Sequence, residues 1–238
     1  MTVRGSASVL TAAIAVLATA APSAAQETPW MIVAKGSVTT SSQLYPDPNS
    51  VDPVARTQAY ELSAAYGYGG ELRYRFPESH VALGLSVEYM KASIDHPIPT
   101  TRDLIPVSDG YTVVPIELTG YFLIPFSGQR LGVYMGGGVG IYPGWREYSI
   151  ANVSSESGAV TPGAGIHVLA GVSYQPIPRL SFLGEMKFRD LQFKASNRFD
   201  GTPISYHGTA ISGLVPAAAD ASIHTDGIIL QLGAAFSF

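Results

Sequence analysis

The feature that most constrains this chain is strict two-residue alternation over long apolar stretches, and "GIILQLGAAFSF" at residues 227–238 shows it at its plainest. Ile228, Leu230, Leu232, Ala234, Phe236 and Phe238 fall on one side, and Ile229, Gln231, Gly233, Ala235 and Ser237 on the other. A period of two is a β-strand. Similar segments run from Trp30 to Gln43, Gln58 to Phe76, Val81 to Ile94, Tyr111 to Phe126, Leu131 to Tyr148, Gly163 to Gln175, Leu180 to Lys194 and Thr225 to Phe238, which makes eight. The connections alternate in length. "PESH", "SGQR" and "PIPR" are short turns rich in Pro, Gly or Ser, whereas residues 44–57, 95–110, 150–162 and 195–224 form long ones. Short turns on one rim and long loops on the other describe an up-and-down meander. Its last strand is expected to close against the first.

Composition says where such a meander would reside. Residues 1–25 carry one positive charge at Arg4, an apolar stretch from Val9 to Ala21 and the small-residue site Ser23-Ala24-Ala25. Those are the three parts of a secretory signal peptide, and residues 26–238 are left as one domain. Charged residues are 13% of the chain, against about 25% in ordinary soluble domains. The absence of Cys removes disulfides and thiolate metal sites. Net charge is −4 with no basic tract, so nucleic-acid binding has no support.

The contents of the two faces decide which one meets lipid, because a soluble lipocalin-like barrel also alternates, with its apolar side inside. The polar face here holds Lys35, Glu61, Glu71, Arg73, Arg75, Glu88, Glu117, His167, Glu185, Lys187 and Arg189, interspersed with Gly, Ala and Ser. Small residues between charges suit a crowded interior. On the apolar face, Trp30, Tyr74, Phe76, Phe126, Tyr174 and Phe182 gather beside the short turns, as an interfacial aromatic girdle does. A less regular second girdle is expected from Tyr60, Tyr66, Tyr68, Tyr89, Trp145 and Tyr148. The fold class is therefore all-β, an eight-stranded antiparallel transmembrane β-barrel with short periplasmic turns and long extracellular loops. In a barrel of that size side chains fill the lumen, so its charges must pair with one another.

Catalytic chemistry has little footing. None of His80, His96, His167, His207 and His224 has metal-site spacing. Ser205 with His207, and Ser222 with His224, stand two apart in the last loop, but no orienting carboxylate or oxyanion hole is evident. "YMGGGVGIYPG" lacks the Lys and Ser/Thr of a phosphate loop; Gly136, Gly138 and Gly140 are expected to leave inward room for bulky neighbours such as Tyr121. No catalytic, cofactor or metal residue is assigned, and the chain is read as non-enzymatic.

The hairpin "VVPIELTGYFLIPFSGQRLGVYMGGGVGIY", Val113 to Tyr142, together with the terminal Phe238, resembles the small outer-membrane β-barrels, the broad group of OmpA-, OmpX- and OmpW-type proteins. The shared elements are an early Pro115, the pair Tyr121 and Phe122, and Tyr134 followed by Gly136, Gly138 and Gly140. The resemblance implies location in the cell outer membrane of a Gram-negative envelope, and contact there with lipid and lipopolysaccharide. It also implies escort by periplasmic chaperones and recognition of Leu230, Leu232, Phe236 and Phe238 by the outer-membrane assembly machinery. Pro115, Pro125 and Pro143 depart from a regular ladder, and local bulges are expected there. The function expected is a structural or surface-interaction role carried by the loops. The alternatives are a narrow porin-like channel for small hydrophobic solutes and a lipid A-modifying enzyme. On this reading the protein fractionates with outer membranes and migrates differently on SDS gels before and after boiling; recovery as a soluble periplasmic monomer would refute it.

Overall fold

A computed structural model describes residues 29–46, 48–62, 64–99, 103–125, 130–151, 153–199, 205–207, 209–210, 218–225 and 227–238. The expected signal segment 1–25 and Phe126 lie outside them. In chain order the elements are β1 (Trp30–Thr39), β2 (Ser42–Tyr45), the short helix α1 (Pro53–Thr57), β3 (Tyr60–Leu62), β4 (Ala65–Arg75), β5 (Val81–Pro99), β6 (Leu104–Val113), β7 (Ile116–Leu123), β8 (Leu131–Tyr142) and β9 (Gly144–Ile150). There follow β10 (Val153–Ser154), β11 (Glu156–Thr161), β12 (Gly163–Ile177), β13 (Leu180–Arg189), β14 (Leu191–Arg198), β15 (Ser205–Tyr206), β16 (Thr209–Ala210), β17 (Ala218–Thr225) and β18 (Ile228–Ser237).

Eight of these, β1, β4, β5, β7, β8, β12, β13 and β18, pair in an antiparallel ring. β18 closes it on β1, with Met31 opposite Ser237 and Thr39 opposite Ile229. Closure satisfies every wall strand from both sides, which is what lets a sheet cross hydrocarbon. The outward row is apolar and exposed: Ile32, Leu72, Leu83, Leu85, Leu118, Val139, Val168, Phe182 and Leu232 among others. No described helix is long and apolar enough to cross a membrane, and the strands carry the apolar band.

The long connections are less loop-like than the sequence suggests. β5 runs on to Pro99 and pairs with β6, which pairs with β9. On the other side β11, β14, β17, β2 and β3 form a separate five-stranded sheet. Above the membrane the wall thus divides into two facing sheets. They enclose a dry cluster that includes Leu44, Leu62, Met90, Tyr111, Tyr142, Leu191, Phe193 and Ile223.

Two local features differ from expectation. Pro115 and Pro143 cause no bulge: residue-number sums across the facing strands are unchanged on either side of them, as Val113 opposite Gly144 and Ile116 opposite Ile141 show. Val114, which sits opposite Pro143, donates to its carbonyl at 2.8 Å, so the missing proline N–H is lost from the ladder without a shift of register. The phase slips elsewhere. Thr39 and Ser42 both point inward with Thr40 and Ser41 exposed, and Leu62 and Ala65 likewise both point inward. The two slips face each other on paired strands, Ser42 opposite Leu62 and Thr39 opposite Ala65.

Inward glycines make room for the ring side chains. A Cβ on Gly171 would lie 2.5 Å from the Tyr134 ring, whereas on outward Gly70 the nearest atom would be 3.7 Å away. Gly171→Val is expected to lower the temperature at which the folded gel band is lost, and Gly70→Ala to leave it near wild type.

Candidate functional site

Among the described residues, chemistry-bearing side chains converge chiefly in the lumen. In its periplasmic half Lys35 Nζ lies 2.5 Å from Glu71 and 2.7 Å from Glu185. Arg73 Nε donates to Glu71 at 2.7 Å and Arg73 Nη2 to Glu185 at 3.0 Å. Tyr134 donates its hydroxyl to Glu185 at 2.7 Å, and the Arg73 guanidinium lies 3.8 Å from the centre of the Tyr121 ring. Two cations meet two carboxylates, and the tier is neutral.

A second tier lies toward the outside. Glu117 contacts Lys187 at 2.8 Å and Arg189 at 2.7 Å, and Glu88 contacts Arg189 at 2.8 Å. Gln231 donates to Glu88 at 2.5 Å, and Thr119 and His167 share a 2.9 Å hydrogen bond. This tier is also balanced when His167 is neutral. Glycines on β8 face it: a Cβ on Gly138 would clash first with the Leu118 carbonyl and then meet the His167 ring at 3.0 Å, and one on Gly140 would meet the Tyr142 hydroxyl at 2.8 Å and the Glu117 side chain at 2.9 Å.

Apolar groups lie on both sides of the charges. Val33, Ala82, Leu169, Leu183 and Ala235 pack with Met31 and Leu123 at the periplasmic side, and the dry cluster between the two sheets covers the outer side. The ion pairs are buried, which strengthens each contact and raises the cost of leaving any partner alone.

Nine of the expected lumen charges occupy these tiers: Lys35, Glu71, Arg73, Glu88, Glu117, His167, Glu185, Lys187 and Arg189. Two do not. Glu61 is exposed because the phase slip between Leu62 and Ala65 turns it outward, and Arg75 is exposed at the periplasmic mouth. A further buried pair was not foreseen: Arg146 on β9 grips Asp109 on β6 through two hydrogen bonds of 2.8 and 2.6 Å. Its sequence signal was inward parity, since Asp109, Tyr111 and Val113 keep one phase, as do Tyr142, Gly144 and Arg146.

Trp30, Tyr74, Phe76, Tyr174 and Phe182 stand on or at the ends of the wall strands, with Tyr74 edge-on to both Trp30 and Phe76 at 4.8 and 5.1 Å. Leu230, Leu232, Phe236 and Phe238 line the outward side of the closing strand, and the Phe238 N–H donates to the Trp30 carbonyl at 3.1 Å. Ser222 and His224 hydrogen-bond at 3.0 Å on the outer face of β17, but among the described residues no carboxylate orients His224. His207 instead meets Asp103 at 2.6 Å. Among the described residues no group of His, Asp and Glu has the makings of a metal site.

The closed ring, the apolar exterior and the ion-paired interior define a small eight-stranded β-barrel of the outer-membrane type. No protein-family model and no curated protein sequence matches the chain. Among solved structures, the outer membrane protein OprG from Pseudomonas aeruginosa superposes with a TM-score of 0.60 at 16% identity, over 90% of this chain and 97% of that one. Neisserial surface protein A aligns over 89% of this chain and 98% of that one, at 13% identity and a TM-score of 0.45.

Removing one lumen charge strands its partners. Arg189→Met is expected to cost about 3–5 kcal/mol, the usual penalty for breaking a buried pair. The neutral double change Glu117→Gln with Lys187→Met, which keeps Glu88 with Arg189, is expected to cost less. Urea unfolding in detergent micelles checks both.

Proposed function

We propose that this chain is a non-enzymatic outer-membrane barrel whose lumen is a rigid, closed scaffold and whose biological role lies on the extracellular sheets and loops. The observation that supports this reading most is the filled interior. The charged tiers are buried, matched in charge and covered on both sides by apolar clusters. A conducting path would have to break ion pairs that have no water to fall back on.

The outward row Leu230, Leu232, Phe236 and Phe238 is proposed as the strand read by the outer-membrane assembly machinery, after delivery by periplasmic chaperones. Its position on the strand that closes the ring supports that role. Lipid and lipopolysaccharide are the proposed surroundings of the exposed apolar wall.

In planar bilayers the purified barrel is expected to be electrically silent, and in liposomes to admit no small solute. Arg189→Ala, which removes the cation shared by Glu88 and Glu117, is expected to raise leakage. Steady conductance or solute uptake by the unmodified protein would replace this reading with the channel. A lipid A profile that changes with the protein's presence would replace it with the enzyme.

A further inference from the structure

Near their outer ends β1, β8, β12 and β18 present aliphatic side chains to the outside, Val38, Ile141, Ile166 and Ile228, and β13 presents one ring, Phe188. β4 and β5 differ. Tyr66 stands directly across from Lys91, and Tyr68 directly across from Tyr89. The Tyr68 and Tyr89 rings lie 5.5 Å apart. Tyr66 and Tyr68 are 69% and 68% exposed, more than most large side chains of the wall. The four residues form a compact square on two neighbouring strands.

Its height follows from β5. The outward positions Val81, Leu83, Leu85, Val87 and Tyr89 are apolar, and Lys91 is the first charge after them. The square therefore sits where the wall leaves hydrocarbon for the headgroup layer. Lys91 is itself held: its Nζ lies 2.5 Å from Glu147, and the other Glu147 oxygen accepts from Thr112 at 2.6 Å. An ammonium has three donors, so the pair with Glu147 fixes the Lys91 side chain and leaves donors for a second anion.

Ordinary interfacial tyrosines explain a ring of aromatics around a barrel; they do not explain a cluster on two strands beside a fixed cation. We propose that Tyr66, Tyr68, Tyr89 and Lys91 form a binding site for the phosphorylated sugar headgroup of an outer-leaflet glycolipid. A pyranose presents a face of C–H bonds with partial positive charge, which suits the negative face of an aromatic ring. The phenol hydroxyls meet sugar hydroxyls, and Lys91 meets the phosphate. A phosphatidyl headgroup offers the phosphate without the sugar face. The proposal rests on the outer-membrane reading above, and membrane fractionation tests that reading separately.

Native mass spectrometry of the folded mature barrel in detergent, titrated with rough lipopolysaccharide or with phosphatidylglycerol, reads the site. The lipopolysaccharide is expected to bind preferentially. Tyr66→Ala with Tyr68→Ala is expected to weaken it about tenfold, which corresponds to about 1.4 kcal/mol, with little change for phosphatidylglycerol. Tyr66→Phe with Tyr68→Phe retains the rings and is expected to keep most of the affinity, and Tyr74→Ala at the opposite rim to keep all of it. The heat-modifiable gel shift confirms that each variant is folded. Equal binding of the two lipids, equal loss of both in the alanine variant, or undiminished lipopolysaccharide binding by that variant would overturn the site and leave an ordinary aromatic belt.

Discussion

Everything in this structure depends on charges being taken out of water in the lumen and matched there. A β-barrel exposes its apolar row to lipid and must turn its polar row inward, where eight strands leave no space for solvent. Unmatched, each charge would oppose folding by several kcal/mol. Matched in neutral tiers, Lys35, Arg73, Glu71 and Glu185, then Lys187, Arg189, Glu88 and Glu117, tie five of the eight wall strands together through side chains as well as through the ladder. The glycines of β8 belong to the same arrangement, because Gly138 admits the Leu118 carbonyl and the His167 ring, and Gly140 admits Tyr142 and Glu117.

The interior is layered along the barrel axis: apolar, ionic, ionic, apolar, and then the Asp109–Arg146 pair among the extracellular strands. The layers hold different kinds of specificity. The apolar ones exclude water over broad areas and tolerate shape changes of a methyl group or so, while the ionic ones admit one pairing pattern. Such a filled wall supports the extracellular half as a stiff base, and the strands that continue above it inherit their direction from the membrane half.

Much of this was legible from alternation. Inward and outward rows were readable wherever a strand kept its phase, which is why the lumen residues of β4, β5, β7, β12 and β13 could be named from parity alone. Glu61 shows the limit: a slip of one residue reverses every side chain beyond it, and nothing in "ELSAAYG" marks the slip. Arg75 keeps the inward parity but lies too near the strand end to be covered. The prolines misled in the opposite direction, since Pro115 and Pro143 suggested bulges and the facing strands kept register. The extended β5, β6, β14 and β17 were missed because polar, Pro-containing segments such as "ASIDHPIPT" look like loops when neither face is continuously apolar. Asp109 stands in one of these apparent loops, so its pair with Arg146 went unseen although Arg146 falls within a recognised strand.

The matched slips at residues 39–42 and 62–65 have a wider meaning for how the molecule is put together. Because both partners slip at facing positions, their mutual register is unchanged while the identity of the inward row is exchanged: Val33, Lys35, Ser37 and Thr39 below, Ser42 and Leu44 above. Along this one strand pair the upper and lower halves thereby read in separate frames, whereas the other wall strands keep one phase from the charged tiers into the extracellular half. A change of phase between residues 42 and 62 is absorbed at the paired slips and does not reach the inward row of Val33, Lys35, Ser37 and Thr39 below, which makes this edge of the extracellular half the adjustable part of an otherwise phase-locked barrel.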